Sequence, residues 1–307
     1  MVKLIPVKYG IFDYPNGIQS NIQEVAGHFG KEKIYPKGAF SLHTEYSFDS
    51  KHSGGTLLQD FPTLRNCMDR RIPLLWYSNE WAEEFVAFIQ QLCGNHIPKI
   101  IEIHPPYRDY MSLQEFIPIY TLFERRIRQV FPKVQILIEN RSGTHYKSHK
   151  KWKTASGTEY DFALSTIDSL IEFSKILDTE NLNLKIAFDI PQLMTAHQIG
   201  NSKADEMVFM LNRIRSIRHN IYGIHLWGKN DVIVDKNGKK VKQRESHLGN
   251  LNTYFRGNQK TKALFLETLY SLLNDSFPRY FVPEVNSNEA DLASIIRDLL
   301  KSNFTFV

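Results

Sequence analysis

Short aliphatic and β-branched runs recur along the whole chain and constrain its fold more than any other feature. They occupy residues 3–10, 39–46, 72–78, 99–106, 134–140, 184–191, 221–228 and 279–285. These runs are continuous rather than alternating with polar residues, which is typical of strands that are covered by helices on both faces. We therefore expect a parallel sheet in which these eight runs are the strands.

Segments with helical spacing of apolar residues lie between the runs. The clearest are residues 80–93, 112–131, 165–177, 204–217 and 261–273. The third of them has a capped start in Ser165, Thr166 and Asp168. The first strands are connected less clearly, through residues 21–29 and then 56–68, which we interpret as helical. Strands alternating with helices over this length predict a (β/α)8 TIM barrel.

The composition is that of an ordinary globular protein, with 42% hydrophobic and 23% charged residues. No run approaches the roughly 18 apolar residues of a membrane-spanning helix, and the N-terminus lacks a signal-peptide pattern. We expect one cytoplasmic domain over residues 1–307, with no membrane and no evident protein partner. Cys67 and Cys93 stand in no CxxC spacing, so no disulfide framework is predicted. The net charge of +5 mildly favours an anionic partner.

Acidic residues and histidines recur at the C-terminal ends of the predicted strands, where the active sites of such barrels lie. They are His43, His104, Glu139, Asp189, His225 and Glu284. Any one of them alone is more often a loop cap or a satisfied core residue, so the prediction rests on the set. Buried carboxylates repel one another unless a cation neutralises them. Mixed carboxylate and imidazole ligands predict Zn²⁺, Mn²⁺ or Fe²⁺ rather than calcium.

Several stretches resemble the strand-end motifs of endonuclease IV and its xylose isomerase-like TIM-barrel relatives. They are IENRSG, FDIPQLMTAH, IHLWGKN followed by QRESHLGN, and VPEV, and the resemblance covers about residues 99–286. It implies a divalent metal site, Zn²⁺ or Mn²⁺, at the C-terminal face of the strands, with Glu139, Asp189, His225 and Glu284 as ligands. The IHPP stretch adds His104 to these ligands.

The chain also departs from the endonuclease IV pattern. The predicted third strand, IPLLWYSN, has no histidine, and Gln192 stands where the family has one after the sixth-strand aspartate. The tripeptide at residues 243–245 reads Gln-Arg-Glu where the family has Asp-Arg-His, and His247 lies close by as a substitute ligand. Three histidines either complete a second metal site or only line the pocket: His43, His104 and His247.

The resemblance implies, first, an AP-endonuclease-like phosphodiesterase of DNA repair that acts on nucleic acid. Metal ions would activate water and stabilise the phosphoryl oxygens, and Glu139 would orient that water. The expected substrate contacts are Arg141, Gln192, Lys229, Arg244, Lys150 and Lys151. The loop of residues 144–157 mixes lysines with aromatic residues, which suits a phosphate backbone and an unstacked base, although a solvated loop has the same composition.

The alternative is an isomerase or epimerase that acts on a sugar or a small phosphorylated sugar. One Mn²⁺-type ion would hold the substrate while Glu139 and Glu284 exchange a proton beside its carbonyl. The tract after His225 favours the phosphodiesterase, and the missing histidines favour the isomerase. Gln192 weakens both, because the isomerases that this chain resembles also use the histidine it replaces. A barrel that binds its ligand without turning it over is a third possibility. The absence of Walker, GxGxxG and GxSxG motifs excludes nucleotide kinases, dinucleotide enzymes and α/β-hydrolases.

Overall fold

The computed structural model describes residues 1–44, 55–68, 74–108, 110–142, 162–199, 203–232 and 243–307. The strands of the main sheet are β1 (Val2–Lys8), β2 (Ile22–Ala26), β3 (Ala39–His43), β4 (Ile100–Ile103), β5 (Gln135–Glu139), β6 (Lys185–Asp189), β7 (Ile221–Leu226), β10 (Arg279–Pro283) and β11 (Phe304–Phe306). The strands β8 (Lys229–Val232) and β9 (Gln243–Ser246) form a separate antiparallel pair.

The order of the main sheet is β10-β7-β6-β5-β4-β3-β2-β1-β11, and β10 also pairs with β1. Strands that follow one another in this order, with the last barrel strand returning to the first, define a (β/α)8 barrel. The predicted TIM-barrel fold class is therefore confirmed. The central strands β4, β5 and β6 are buried along almost their whole length, as expected for strands covered by helices.

Helices follow most strands. They are α1 (Pro62–Met68), α2 (Asn79–Cys93), α3 (Leu113–Val130), α4 (Ile167–Thr179), α5 (Ile190–Ala196), α6 (Ala204–Ile214), α7 (Leu251–Tyr254), α8 (Gln259–Leu273) and α9 (Glu289–Lys301). The capped start predicted near residue 165 is confirmed, because the Thr166 side chain accepts a hydrogen bond from Ser169 N. Among the described residues, no helix combines the length and the apolar character needed to cross a membrane.

Two predictions about the early part of the chain are wrong. Residues 21–29 contain strand β2 rather than a helix, and its half-polar sequence IQEVA is only partly buried. The segment predicted as the third strand, residues 72–78, is not a strand in its described part, 74–78. There Trp76 has a φ of 63°, in the left-handed region, which interrupts an extended strand. The third strand is therefore β3, and it ends in His43.

The chain divides into two compact units, one formed by residues 1–22 and 188–307 and the other by residues 23–187. In the first unit β1 pairs in parallel with β10, and β10 with β7. In the second, β3, β4, β5 and β6 pair in parallel, and Glu139 lies opposite Ala187. The assignment of residues 1–307 to a single domain stays a prediction.

Trp76 connects the aromatic core of the second unit with the end of strand β4. Its buried ring contacts the rings of Phe85, Phe116 and Phe123 at centroid distances of 5.7, 5.2 and 5.2 Å. All three contacts are nearly edge-to-face, an arrangement that aromatic pairs prefer. The indole Nε1 of Trp76 donates a hydrogen bond to the main-chain oxygen of His104 at 2.8 Å. The packed aromatic core thus anchors the residue that follows β4.

Candidate metal centre

Three side chains from the ends of β3, β4 and β5 converge in the unit of residues 23–187. We call His43, His104 and Glu139 the His43 group; one ligand atom of each lies within 4.8 Å of the others. His104 Nε2 lies 3.1 Å from His43 Nε2 and 2.7 Å from Glu139 Oε2. Ligands about 2.1 Å from a tetrahedral zinc ion are about 3.4 Å apart, so side chains this close together could bind a single cation after a small adjustment.

His104 Nε2 faces more hydrogen-bonding groups than one ring nitrogen can satisfy. Glu139 Oε2 is an acceptor, whereas Arg141 Nη1, at 3.0 Å, is a donor. Burial, followed by the nearby Arg141, lowers the pKa of His104 to about 3, so its ring is neutral at neutral pH. A neutral ring nitrogen either donates or accepts. A cation bound by both His104 and Glu139 would remove this conflict, and the donor set therefore fits a metal ion.

Two further carboxylates surround His43. Glu24 Oε1 lies 3.1 Å from His43 Nδ1, and Glu102 Oε1 lies 3.5 Å from Nε2. Burial lowers the pKa of His43, but Glu24 and Glu102 raise it more, and it lies well above 6.5. Glu24 holds the position of the outer carboxylate that orients many metal-binding histidines. From the sequence, no role is assigned to Glu102. None is assigned to Glu24 either, which lies in a segment predicted as helix.

Arg141, which the sequence predicts to contact an anionic substrate, lies against the His43 group. Its Nη1 is 3.4 Å from Glu139 Oε2, and its guanidinium carbon is 5.7 Å from the Phe162 ring centroid. Burial raises the pKa of Glu139, but Arg141 and His104 lower it more, so Glu139 stays ionised well below its usual range. A quarter of the Arg141 side chain is exposed. Its role as an anion contact stays a prediction.

The unit of residues 1–22 and 188–307 contains a second convergence of predicted ligands. We call Asp189, His225 and Glu284 the His225 group; their ligand atoms also lie within 4.8 Å of one another. Asp189 ends β6, His225 lies near the end of β7, and Glu284 directly follows β10. His225 Nδ1 is 3.1 Å from Glu284 Oε1, and all three side chains are buried. Two buried carboxylates beside an imidazole favour a bound cation.

His247 extends the His225 group. Its Nδ1 lies 3.2 Å from Glu284 Oε2, yet neither atom has a hydrogen-bond partner among the described residues, although both are buried. Buried polar atoms are rarely left without partners, and 3.2 Å is close to the separation of two ligands of one metal ion. Burial raises the pKa of Glu284, but His225 and His247 lower it more, to well below its usual range.

Two of the predicted substrate contacts are held by protein groups near Asp189. Gln192 is buried in α5, and its main-chain N–H donates to Asp189 Oδ1 at 2.7 Å. Lys229 Nζ is hydrogen-bonded to Thr195 Oγ1 and lies 5.4 Å from the Trp227 ring centroid. Contact of either residue with a substrate stays a prediction.

The remaining predicted contacts cannot be placed. Arg244 pairs with Asp231 between β9 and β8, but its side chain lies outside the described part of the chain. Lys150 and Lys151, with the basic loop of residues 144–157, also lie outside the described residues.

No protein-family model and no curated protein matches the sequence. Similar solved structures include a xylose isomerase domain protein from Planctomyces limnophilus, at 13% identity and a TM-score of 0.47, covering 98% of this chain and 97% of that one. The structure named AsfvAP:AG has 11% identity, a TM-score of 0.46 and coverages of 86% and 84%. A sugar phosphate isomerase/epimerase from Parabacteroides distasonis has 7% identity, a TM-score of 0.38 and coverages of 92% and 85%. Xylose isomerase-like barrels are thus among the neighbours, as the strand-end motifs predict, and similarity at this level concerns the fold alone.

Proposed function

We propose that this barrel is a metal-dependent phosphodiesterase acting on nucleic acid, with one divalent cation in each donor group. The observation that carries the proposal is the His43 group, which offers a second cluster of donors in addition to the His225 group. A one-ion sugar isomerase would need only the His225 group and Glu139. The corrected strand order supports the same conclusion, because β3 ends in a histidine, as the third strand of endonuclease IV does.

The first cation would be held by His43, His104 and Glu139. The second would be held by the His225 group, with His247 as a further donor. Imidazole-rich donors of this kind suit Zn²⁺ or Mn²⁺.

Bound cations would supply the Lewis acidity that activates water and neutralises charge on a phosphodiester. The residues of the chain would do the rest. Glu139, kept ionised by Arg141 and His104, would accept a hydrogen bond from the attacking water and orient it. Arg141 would bind a non-bridging phosphate oxygen, because its guanidinium already lies at the edge of the His43 group. Glu284 would bind the second cation as a carboxylate, because His225 and His247 lower its pKa and keep it ionised.

Nucleic acid is the proposed partner because the chain carries a net charge of +5. Lys229, Lys150, Lys151 and Arg244 are the proposed contacts with its phosphates. Such contacts would make binding strongly dependent on salt concentration.

A sugar or sugar-phosphate isomerase or epimerase is the second candidate. It is favoured by the buried pair of ionised carboxylates that proton transfer requires, Glu139 and Glu284. Two of the similar solved structures carry isomerase names, a xylose isomerase domain protein and a sugar phosphate isomerase/epimerase.

Two assays separate the candidates. The protein loaded with Zn²⁺ or Mn²⁺ is incubated with a duplex that contains an abasic site, and strand incision is followed on a gel. The same preparation is incubated with ketoses and ketose phosphates in deuterated water, and incorporation of deuterium is followed by NMR. Incision without exchange supports the phosphodiesterase. Exchange without incision would replace it with the isomerase.

A further inference from the structure

Trp227 contacts two candidate ligands of the second cation at once, Asp189 of the His225 group and the neighbouring His247. Its buried indole lies two residues after His225, where β7 has ended. The Nε1–H donates a hydrogen bond to Asp189 Oδ2 at 2.9 Å. The ring stacks at a tilt on the imidazole of His247, with 4.5 Å between the ring centroids and 37° between the planes. One side chain therefore supports a carboxylate and an imidazole that both face the proposed second cation.

The orientation of Asp189 is fixed from two directions. Its Oδ1 accepts the main-chain N–H of Gln192 at 2.7 Å, which starts α5, and its Oδ2 accepts the indole N–H of Trp227. Each carboxylate oxygen has a second lone pair, so both can still face a cation. Hydrogen bonds from outside the ligand shell orient ligands in this way and tune their affinity for a metal.

His247 depends on its neighbours for its conformation. Its φ is 61°, in the left-handed region that residues with a side chain rarely adopt. Its main-chain oxygen accepts a hydrogen bond from Asn286 N at 2.9 Å, and its ring lies on Trp227. Trp227 is itself held by the ammonium group of Lys229, 5.4 Å from its ring centroid. The stack therefore helps to keep His247 Nδ1 directed towards Glu284.

We infer that Trp227 is a positioning residue of the second cation site, acting on Asp189 through its N–H and on His247 through its ring. This inference rests on the proposed metal centre. It concerns a residue to which the sequence assigned no role, since an apolar aromatic residue after a strand is most often part of the core. The effect of Trp227 is on metal affinity, and a buried aromatic residue that contacts no candidate ligand separates this effect from loss of packing.

The test compares Zn²⁺ and Mn²⁺ affinities, measured by competition with a chelator, for the whole chain and its variants. Trp227→Phe keeps a ring but removes the N–H, and should weaken binding at one site by about 10–100-fold, the range found for outer-shell partners. Trp227→Leu also removes the stack and should weaken it further. Phe255→Leu is the matched control, because Phe255 is also a buried aromatic residue, and its ring packs against the rings of Tyr254 and Phe265. It should lower the unfolding midpoint without changing metal affinity.

A double-mutant cycle with Asp189→Ala adds a second readout. In that background Trp227→Phe should cause a much smaller further loss, because the acceptor of the indole N–H is gone. If Trp227→Phe does not fold, Trp227→Tyr replaces it, since tyrosine also lacks a donor at the indole position.

The outcomes distinguish this inference from the proposed function. If the wild-type chain binds two cations and Trp227→Phe binds both within about twofold of the wild-type affinity, the inference is overturned and the metal centre stands. An equal loss of affinity in Phe255→Leu also overturns it, because the effect would then be one of packing. If the wild-type chain binds no divalent cation, the proposed centre is wrong and the inference falls with it.

Discussion

The Nε2 atoms of His43 and His104 lie 3.1 Å apart, and the same atom of His104 lies 2.7 Å from Glu139 Oε2. Two imidazole nitrogens approach so closely only when one donates a proton to the other or when both bind one cation. Arg141 also donates towards His104, so a single proton cannot satisfy this arrangement. A shared cation would bind all three side chains of the His43 group, and Arg141 would then donate to Glu139 Oε2, which lies 3.4 Å from its Nη1.

The affinity of the His43 group for metal should rise with pH. The carboxylates of Glu24 and Glu102 outweigh burial and raise the pKa of His43, so the metal-free protein carries a proton there that a cation must displace. Below that raised pKa the affinity should increase about tenfold per pH unit for each proton released. Chelator competition at several pH values measures the slope. Glu24→Gln should reduce it, and an affinity independent of pH in the wild type would contradict this assignment.

The free energy of unfolding of the metal-free protein should depend on the same proton of His43. Because the folded-state pKa of His43 lies above its unfolded value of 6.5, its stabilisation is fully present below pH 6.5 and is lost as pH rises through the raised pKa. Urea unfolding of the chelator-treated chain, compared with His43→Gln, isolates this contribution. The free-energy difference between the two should shrink as pH rises through that window. A difference that stays constant or grows would contradict the sign of the shift.

Glu139→Gln should abolish activity with little change in fold. The variant keeps the shape of the side chain but removes the charge that both proposed reactions require. We expect a loss of more than about 100-fold, the upper range for residues that only support ligands. Glu124→Gln is the control, since Glu124 is also buried but lies on α3, where it pairs with Arg128 at 2.8 Å. Circular dichroism checks the fold, and full activity of Glu139→Gln would remove this glutamate from the mechanism.

Replacing Lys150 and Lys151 by alanine should weaken nucleic-acid binding. If each lysine neutralises one duplex phosphate, the slope of log affinity against log salt should fall by about 2, at about 0.9 per contact. Fluorescence anisotropy with a labelled duplex at several salt concentrations gives the slope. An unchanged slope would mean that these lysines do not contact the phosphates and that the loop is simply solvated.

Arg279→Ala should destabilise the fold without removing a residue of either donor group. Arg279 is fully buried, donates to the main-chain oxygen of Ile221, and forms a two-point ion pair with Asp275. Breaking a buried ion pair typically costs about 3–5 kcal/mol because one charge is left without its partner. Urea unfolding measures this cost, and Arg279→Ala with Asp275→Ala should recover part of it. A cost below about 1 kcal/mol would place the pair in the range of exposed ion pairs.

The barrel and the charged residues at its strand ends could be predicted from the sequence for a simple physical reason. Strands buried on both faces consist of continuous apolar residues, so a charged residue at their end is visible without any structure. Glu139 and Asp189 end β5 and β6 in this way. The (β/α)8 topology then implies that such ends lie on one face.

The early strands could not be predicted in the same way. The apolar run of residues 72–78 looks like a strand, but Trp76 takes a left-handed conformation, and periodicity alone does not detect this. The half-polar β2 looks like part of a helix, although Glu24 faces His43. Because of this error His43 was assigned to the second strand, whereas it ends the third. The contact of Trp227 with Asp189 is tertiary and left no signal in the sequence.

The metal content of the wild-type chain and of two single-ligand variants tests the central claim most directly. After loading with Zn²⁺ or Mn²⁺ and removal of excess metal, elemental analysis gives the number of ions per chain. The two donor groups predict two ions in the wild type, and one each in His43→Ala and His225→Ala, because each variant removes a ligand from one group only. A wild-type chain that binds a single ion, and keeps it in His43→Ala, would contradict the two-cation centre.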